Sequence, residues 1–484
     1  MFVLLIFFTI FAYLYFHQLK QRQKLPHGPT PVPILGNLHQ LTYNLWKYGG
    51  IVPAFNVFGK EYGKVFTIWM GPLATVYISD YDIAHDSHVK KSAMLKDRYI
   101  MGAMTYIREG RGVIFSNGEF WQEHRRFALT TLRNFGLGRN IMEERIMEEY
   151  RYRFADFTKT HFKNGGVEVA SNSFFDLLIG SIINQLLISE RFEQNDVEFE
   201  RLKKSLADGL EKFGLLDVFL PAWLLESKAM RWRQEIVFEP ITSIENGDHT
   251  IEGDGDDYLD AFLVKMEKDK QQGIETTFNR DTLAIDIFDL WIAGQETTST
   301  TLSWACACLL NHPEVVKNVR QELVGLTRGD RSLSLTDRTS TPYLNAVINE
   351  VQRIASILNM NLIRKLDEDT VMDGQHIAAG TAITVHLGMI HQDEKLFKNP
   401  EKFDPSRFLE NEGLEKKLIP FGIGKRACLG ESLARAELYL VLGNLLLDYD
   451  LEPVGAIPPI KTPTPFCVMK RPPIYNIRFI PISK

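Results

Sequence analysis

One ten-residue window constrains this 484-residue chain more than any other: Phe421-Gly-Ile-Gly-Lys-Arg-Ala-Cys428-Leu-Gly430. A cysteine sits in a glycine-punctuated loop, and a helix-like run over 431–440 follows at once. A thiolate at neutral pH needs favourable neighbours. Backbone N–H groups, the positive end of a helix and a cation such as Arg426 supply them. Gly424 and Gly430 let the backbone turn tightly and let a flat cofactor approach with no Cβ in the way. Such a loop suits a cysteinate axial ligand to haem iron, which pushes electron density toward O–O cleavage. Taken alone, Cys428 reads better as a buried free cysteine at a helix start.

The whole window decides between the two. It matches every fixed position of Phe-x-x-Gly-x-Arg-x-Cys-x-Gly, the haem-binding signature of the cytochromes P-450, and the chain resembles that family over residues 25–480. The likeness is to the animal microsomal, family-2-like clan, nematode members included. It implies a mainly α fold with small β-sheets, the cytochrome P-450 fold, preceded by an N-terminal transmembrane anchor. Haem b would lie between a helix at 280–310 and the helix after Cys428. Cys428 would be the metal ligand, with Phe421 and Gly430 in the cofactor-binding loop.

The bulk numbers agree with such a protein. A 45% hydrophobic share is ordinary for a globular chain, and a net charge of −6 gives no reason to expect nucleic acid. Four cysteines (Cys306, Cys308, Cys428 and Cys467) make no disulfide framework and fit a reducing, cytosol-facing location. The first sixteen residues are almost wholly apolar, with Lys20, Arg22 and Lys24 behind them. A positive flank on that side predicts a single N-terminal anchor with the body in the cytosol. A cleaved signal peptide is the rival reading, and it lacks a charged leader and a small-x-small cleavage site. Leu25 to Gly36 holds Pro26, Pro29, Pro31 and Pro33, a stiff extended strut. The expected division is therefore an anchor over 1–19, a basic flank and proline-rich hinge over 20–36, and a haem-thiolate catalytic domain over 37–484. The implied location is the endoplasmic reticulum membrane.

After the hinge, Val65–Met70 and Thr75–Ser79 read as a hairpin about Gly71-Pro72. Helical periodicity follows near 121–135, 139–160, 172–190, 199–214, 228–245, 257–269, 280–310, 313–326 and 343–356, then short strands over 369–386. The acidic run Glu252 to Asp257 lacks a calcium-loop ligand pattern and reads as a solvated loop.

Oxygen chemistry needs a proton path. Ala293-Gly-Gln-Glu296-Thr297-Thr298 lies inside the apolar period at 280–310. Glycine followed by hydroxyl residues is poor helix chemistry, so a local opening of the helix is expected there. Glu296 and Thr297 are the catalytic candidates, Glu296 as proton relay and Thr297 as hydrogen-bond partner of dioxygen. They match the family's acid–threonine motif. Glu350-Val-Gln-Arg353 puts opposite charges at i, i+3. It resembles the family's Glu-x-x-Arg pair, for which Arg407 would supply a second guanidinium in a structural network. Trp121, Arg125, Arg364 and Arg426 would hold the haem propionates.

The resemblance places Ile100, Met104, Phe213 and Phe288 in the substrate pocket, with Ala293, Leu358, Asn359 and Phe466. That lining is mostly apolar and fits a lipophilic substrate. Asn359 and Ile363 stand where many relatives carry proline, so pocket shape does not carry over. No nucleotide fingerprint is present. NADPH would act through a separate reductase, docked on a basic face with Arg125, Arg126, Arg133, Lys416, Lys417, Lys425 and Arg435. The implied reaction inserts one atom of O2 into a lipophilic molecule such as a fatty acid, steroid or xenobiotic. The alternatives are a haem-thiolate isomerase or dehydratase of lipid hydroperoxides, and a non-catalytic haem-binding membrane protein.

Overall fold

The structure is a computed structural model describing residues 2–135, 140–197, 199–204, 226–227, 230–231, 233–234, 257–461 and 469–482. Phe213, Phe466, Cys467, most of the helical periods at 199–214 and 228–245, and nearly all of the acidic loop lie outside these residues. Helix α1 (Phe2–Arg22) leads into the proline strut. The strut is stitched along the edge of strand β1 (Val65–Met70) rather than hanging free. Thr67 N donates to His27 O at 3.1 Å, and Thr67 Oγ1 donates to Pro26 O at 2.8 Å. Gly28 is needed at this contact, because a Cβ there would lie 2.0 Å from Thr67 O.

Helices α2 (Leu38–Tyr48) and α3 (Ile51–Tyr62) follow; neither is among the expected helical segments. Strand β1 and β2 (Leu73–Ile78) form the expected hairpin, with Met70 opposite Leu73. A short α4 (Gly102–Arg108) precedes α5 (Gly118–Asn134), α6 (Asn140–His161), the small strands β3 (Phe162–Lys163) and β4 (Gly166–Ala170), and α7 (Ser171–Ile188). Next come α8 (Tyr258–Gln271), α9 (Arg280–Leu310), α10 (Pro313–Thr327) and α11 (Pro342–Ala355). Pro at the first position suits α10 and α11, where the missing N–H is one the helix cannot use. Asn279 caps α9 by accepting from Thr282 N at 3.0 Å.

The last third carries β5 (Arg364–Lys365), β6 (Thr370–Met372), β7 (Gln375–Ile377), β8 (Ala382–Val385), α12 (Leu387–His391), α13 (Glu431–Asp448), β9 (Tyr449–Val454) and β10 (Asn476–Pro481). One sheet runs β1-β2-β8-β5, a second β3-β4-β10-β9, and β6-β7 pair alone. This is the mainly α body with small sheets that the sequence predicts. Helix α7 is long and apolar enough to cross a membrane, but it is packed within the core. It lies against α9, which is buried along most of its length, as is α13.

The expected opening of α9 is not found. The helix is α throughout 280–310. Thr297 Oγ1 donates back to Ala293 O at 2.7 Å, so its hydroxyl is satisfied without breaking the ladder. Gly294 serves packing instead: a Cβ there would come within 2.7 Å of Ile183 Cδ1 on α7.

Candidate haem-thiolate site

The cysteine loop is held by its own backbone and by its neighbours. Cys428 N donates to Phe421 O at 2.9 Å, and Ala427 N donates to Gly424 O at 2.9 Å. Gly424 has φ +82°, and a Cβ on it would meet His88 O at 2.2 Å. No other residue fits there. Gly430 differs. Its φ is −91°, so it makes no left-handed turn, and a Cβ on it would meet nothing within 4 Å.

The Cys428 side chain is accessible, whereas Cys306 and Cys308 are sealed in the core of α9. Burial of its surroundings raises the Cys428 thiol pKa; the Gly430 N–H opposes this, Glu431 adds to it, and Arg125 also opposes it. The cation the sulfur feels is thus Arg125 rather than Arg426. Arg426 is turned away, with Nε donating to Lys96 O and Nη2 to Ser116 O, both at 2.8 Å. Its guanidinium lies 3.5 Å from the centre of the Trp121 ring. Arg125 donates to Ala427 O at 2.9 Å, one residue before the sulfur.

Beside this loop four guanidiniums gather: Arg98, Arg125, Arg364 and Arg426. Arg364 is 1% exposed, and none of its three guanidinium nitrogens has an acceptor among the described residues. Burial, then Arg98, Arg426 and Arg125, push its pKa well down. Burial and neighbouring guanidiniums bring Arg98 to about 9; burial and Arg125 bring Arg426 to about 9 despite the opposing Asp97. Arginine does not give up its proton in proteins, so these shifts measure a demand for anions. Asp97, 3.9 Å from Arg426, is a distant and partial answer. The Trp121 indole N–H is buried and also lacks a partner. A planar group carrying two carboxylates over the Cys428 sulfur answers all of these demands, so the residues fit haem. Arg98, Trp121, Arg125, Arg364 and Arg426 would hold the propionates. Arg98 escaped the sequence reading because no periodicity marks its loop. Only the fold pairs it with Arg364, across an isolated β-bridge.

The structural network forms as expected. Glu350 accepts from Arg353 Nε and Nη2, each at 2.8 Å, from Arg407 Nε at 3.2 Å, and from Asp404 N at 2.8 Å. The Glu350 and Arg353 side chains are wholly buried. Such a charge is tolerable only because every oxygen is matched.

On α9, Ala293 and Thr297 are accessible positions of a helix otherwise mostly buried, and their i, i+4 spacing puts them on one face. Glu296 is not free. It is buried and ion-paired to Lys203 and to Arg471, the latter at 2.9 Å. Lys203 also reaches Asp176 at 3.0 Å. Among the pocket candidates, Ile100, Met104 and Leu358 are partly accessible. Phe288 is buried beneath the Arg108 guanidinium, 5.1 Å from its ring centre. Asn359 keeps its side-chain nitrogen buried without a partner among the described residues. It is 3% exposed, and its side-chain oxygen lies against Gly388, where it fills space beside α12. The region also holds a buried ion pair with no counterpart among the expected site residues, Arg108 with Asp289. Burial lifts Asp289 to about 6, against the pull of Arg108.

The basic residues expected at a docking face are partly engaged in the protein itself. Arg126, Arg133, Lys416 and Lys425 are exposed. Lys417 pairs with Asp82 and Arg435 with Glu431, each at 2.9 Å, and Arg125 points inward.

Comparison with known proteins agrees with this site. The family model described as Cytochrome P450 matches residues 26–479. A probable cytochrome P450 of Caenorhabditis elegans, cyp-35D1, is 38% identical, over 98% of this chain and 98% of its own. Cytochrome P450 2H2 of Gallus gallus is 35% identical over 99% and 98%. Cytochrome P450 2C3 of Oryctolagus cuniculus is 33% identical over 95% and 94%. With the thiolate loop, the guanidinium cluster and the family match in hand, the chain belongs to the cytochrome P450 family of haem-thiolate monooxygenases.

Proposed function

We propose that this monooxygenase is a membrane-anchored enzyme that hydroxylates or epoxidises lipophilic molecules, fatty acids, steroids or xenobiotics, with electrons delivered singly from an NADPH-dependent reductase. The observation that carries the reading is the accessible Cys428 thiol beside four guanidiniums short of anions. Haem bound there supplies the reduction of O2 and the insertion of one oxygen atom.

The chain's own residues do the rest. Arg98, Arg125, Arg364 and Arg426 orient the propionate edge. Ala293 and Thr297 would line the face of α9 toward the reacting space, and the Thr297 hydroxyl, which donates to Ala293 O at 2.7 Å, would turn there to hold a proton. Glu296 hands on protons when Lys203 or Arg471 lets go of it. Glu350, Arg353 and Arg407 keep their structural part behind the loop. Ile100, Met104 and Leu358 give the substrate an apolar wall.

The exposed Arg126, Arg133, Lys416 and Lys425 suit an acidic flavoprotein partner. Helix α1, at 1.5 Å per residue, reaches about 30 Å, the depth of a bilayer's hydrocarbon core. Residues 1–19 are the proposed anchor in the endoplasmic reticulum membrane, 20–36 the hinge and 37–484 the cytosol-facing catalytic domain.

The test is turnover of a fatty-acid and xenobiotic panel by the full chain with reductase, NADPH and 18O2. Label in the product, dependent on both reductase and NADPH, supports the reading. Conversion of a lipid hydroperoxide at equal rates without them favours the isomerase. Loaded haem with no turnover of either kind favours a non-catalytic haem protein.

A further inference from the structure

One buried pair joins the two walls of the haem cleft and takes no part in the chemistry above. His124 lies on α5 between Trp121 and Arg125, and Asp286 lies on α9. Neither side chain has any exposed surface, and His124 Nδ1 is 2.9 Å from Asp286 Oδ2. The other ring nitrogen, Nε2, is 3.0 Å from Thr277 Oγ1. That hydroxyl has one proton, and it donates it to Glu123 Oε2 at 2.8 Å. Nε2 must therefore carry its own hydrogen. Tyr258 OH donates to the same Asp286 oxygen at 3.2 Å. The single hydrogen between Nδ1 and Oδ2 closes the link whichever of the two atoms carries it.

The ring is also gripped by Phe120 and Phe278, stacked at 4.2 and 4.4 Å between centres. Its position is fixed from every side. Along α9, Asp286, Ala293 and Thr297 fall on one face, at spacings of seven and four residues. Along α5, His124 is flanked by the two residues that would meet the propionates. A well-packed apolar pair would join the helices at less desolvation cost, but without a fixed register.

We propose that His124 and Asp286 form a buried, hydrogen-bonded histidine–aspartate clamp that positions Trp121 and Arg125 against α9 and so sets how tightly haem is held. This rests on the haem reading, and the haem content of the parent protein checks that reading separately.

The experiment uses the full-length holoprotein and four variants: His124→Gln, Asp286→Asn, the two combined, and His124→Leu with Asp286→Leu. Two quantities are read in native buffer and in urea: the rate of haem transfer to apomyoglobin, and the unfolding midpoint. Residues that orient a cofactor's direct contacts typically move its retention by about 10- to 100-fold, so each single variant is expected to release haem at least about tenfold faster. The two effects should not add, and the Gln/Asn double variant should release haem no faster than the faster single. The Leu/Leu variant should regain the parent midpoint yet keep the fast release, which a role in stability alone would not produce. Parent-like release from both single variants overturns the clamp, as does simple additivity. If the single variants do not fold, the Leu/Leu variant decides, and parent-like release from it overturns the clamp. A folded parent that takes up no haem contradicts the haem reading instead.

Discussion

Removing the carboxylate of Glu350 tests the wall behind the thiolate loop. It accepts four hydrogen bonds, three of them from guanidiniums. Glu350→Ala leaves Arg353 and Arg407, 1% and 6% exposed, facing each other without their anion. Arg353 keeps His391 O at 3.0 Å, and Arg407 keeps Lys398 O at 2.7 Å. Carbonyls satisfy N–H groups but do not neutralise two charges. Breaking a buried pair from one side costs about 3–5 kcal/mol. Domains hold about 5–15 kcal/mol in all, so about a fifth or more of the margin goes. Glu350→Gln keeps the shape and one acceptor oxygen, and should fall between. The assay is urea unfolding followed by tryptophan fluorescence, with haem content measured on the same samples. Expected are a large drop in midpoint and little bound haem for the alanine variant. A loss below about 1 kcal/mol, the scale of an exposed pair, would refute the reasoning.

Arg364→Leu should act with opposite signs in the two forms of the protein. Without haem, removing a buried and unpaired cation leaves stability unchanged or higher, whereas with haem it speeds haem release; urea titrations and haem transfer read the two. Glu437, fully buried on α13, has its pKa raised from 4.5 to about 8 by burial. Between those values the folded chain holds one proton more than the unfolded chain, so its contribution to stability falls by about 1.4 kcal/mol per unit as pH rises. Glu437→Gln should remove that slope and be stabilising at pH 8 relative to pH 5; an unchanged pH profile of the urea midpoint would count against the burial argument. Lys203→Met removes one of the two cations on Glu296, and should change product formed per NADPH consumed, while Thr297→Ala lowers that ratio without loss of haem. Equal ratios in parent and both variants would remove this pair from proton handling.

Features that depend on local pattern were legible from the chain. The loop at Cys428 needs glycine at 424 because His88 O is so near, and the fixed-spacing motifs at Glu350 and Trp121 sit one helical turn wide. Long helices such as Arg280–Leu310 announce themselves by length and apolarity. What escaped depends on distant segments meeting. Arg98 joins Arg364 across 266 positions of chain only because β5 adds to the edge of the sheet. Arg108 finds Asp289, and His124 finds Asp286, through tertiary packing alone. Gly294 packs against Ile183 rather than opening the helix, and such packing leaves no trace in composition. The closeness of the Asn359 oxygen to Gly388 on α12 is likewise visible only in the fold.

The most direct test of the central claim is the reduced carbon monoxide difference spectrum of the purified protein, recorded beside Cys428→His. A cysteinate ligand predicts a strongly red-shifted Soret band in the parent and its loss in the variant at equal haem content. A folded, haem-loaded parent without that band, or a variant that keeps it, would contradict Cys428 as the thiolate ligand.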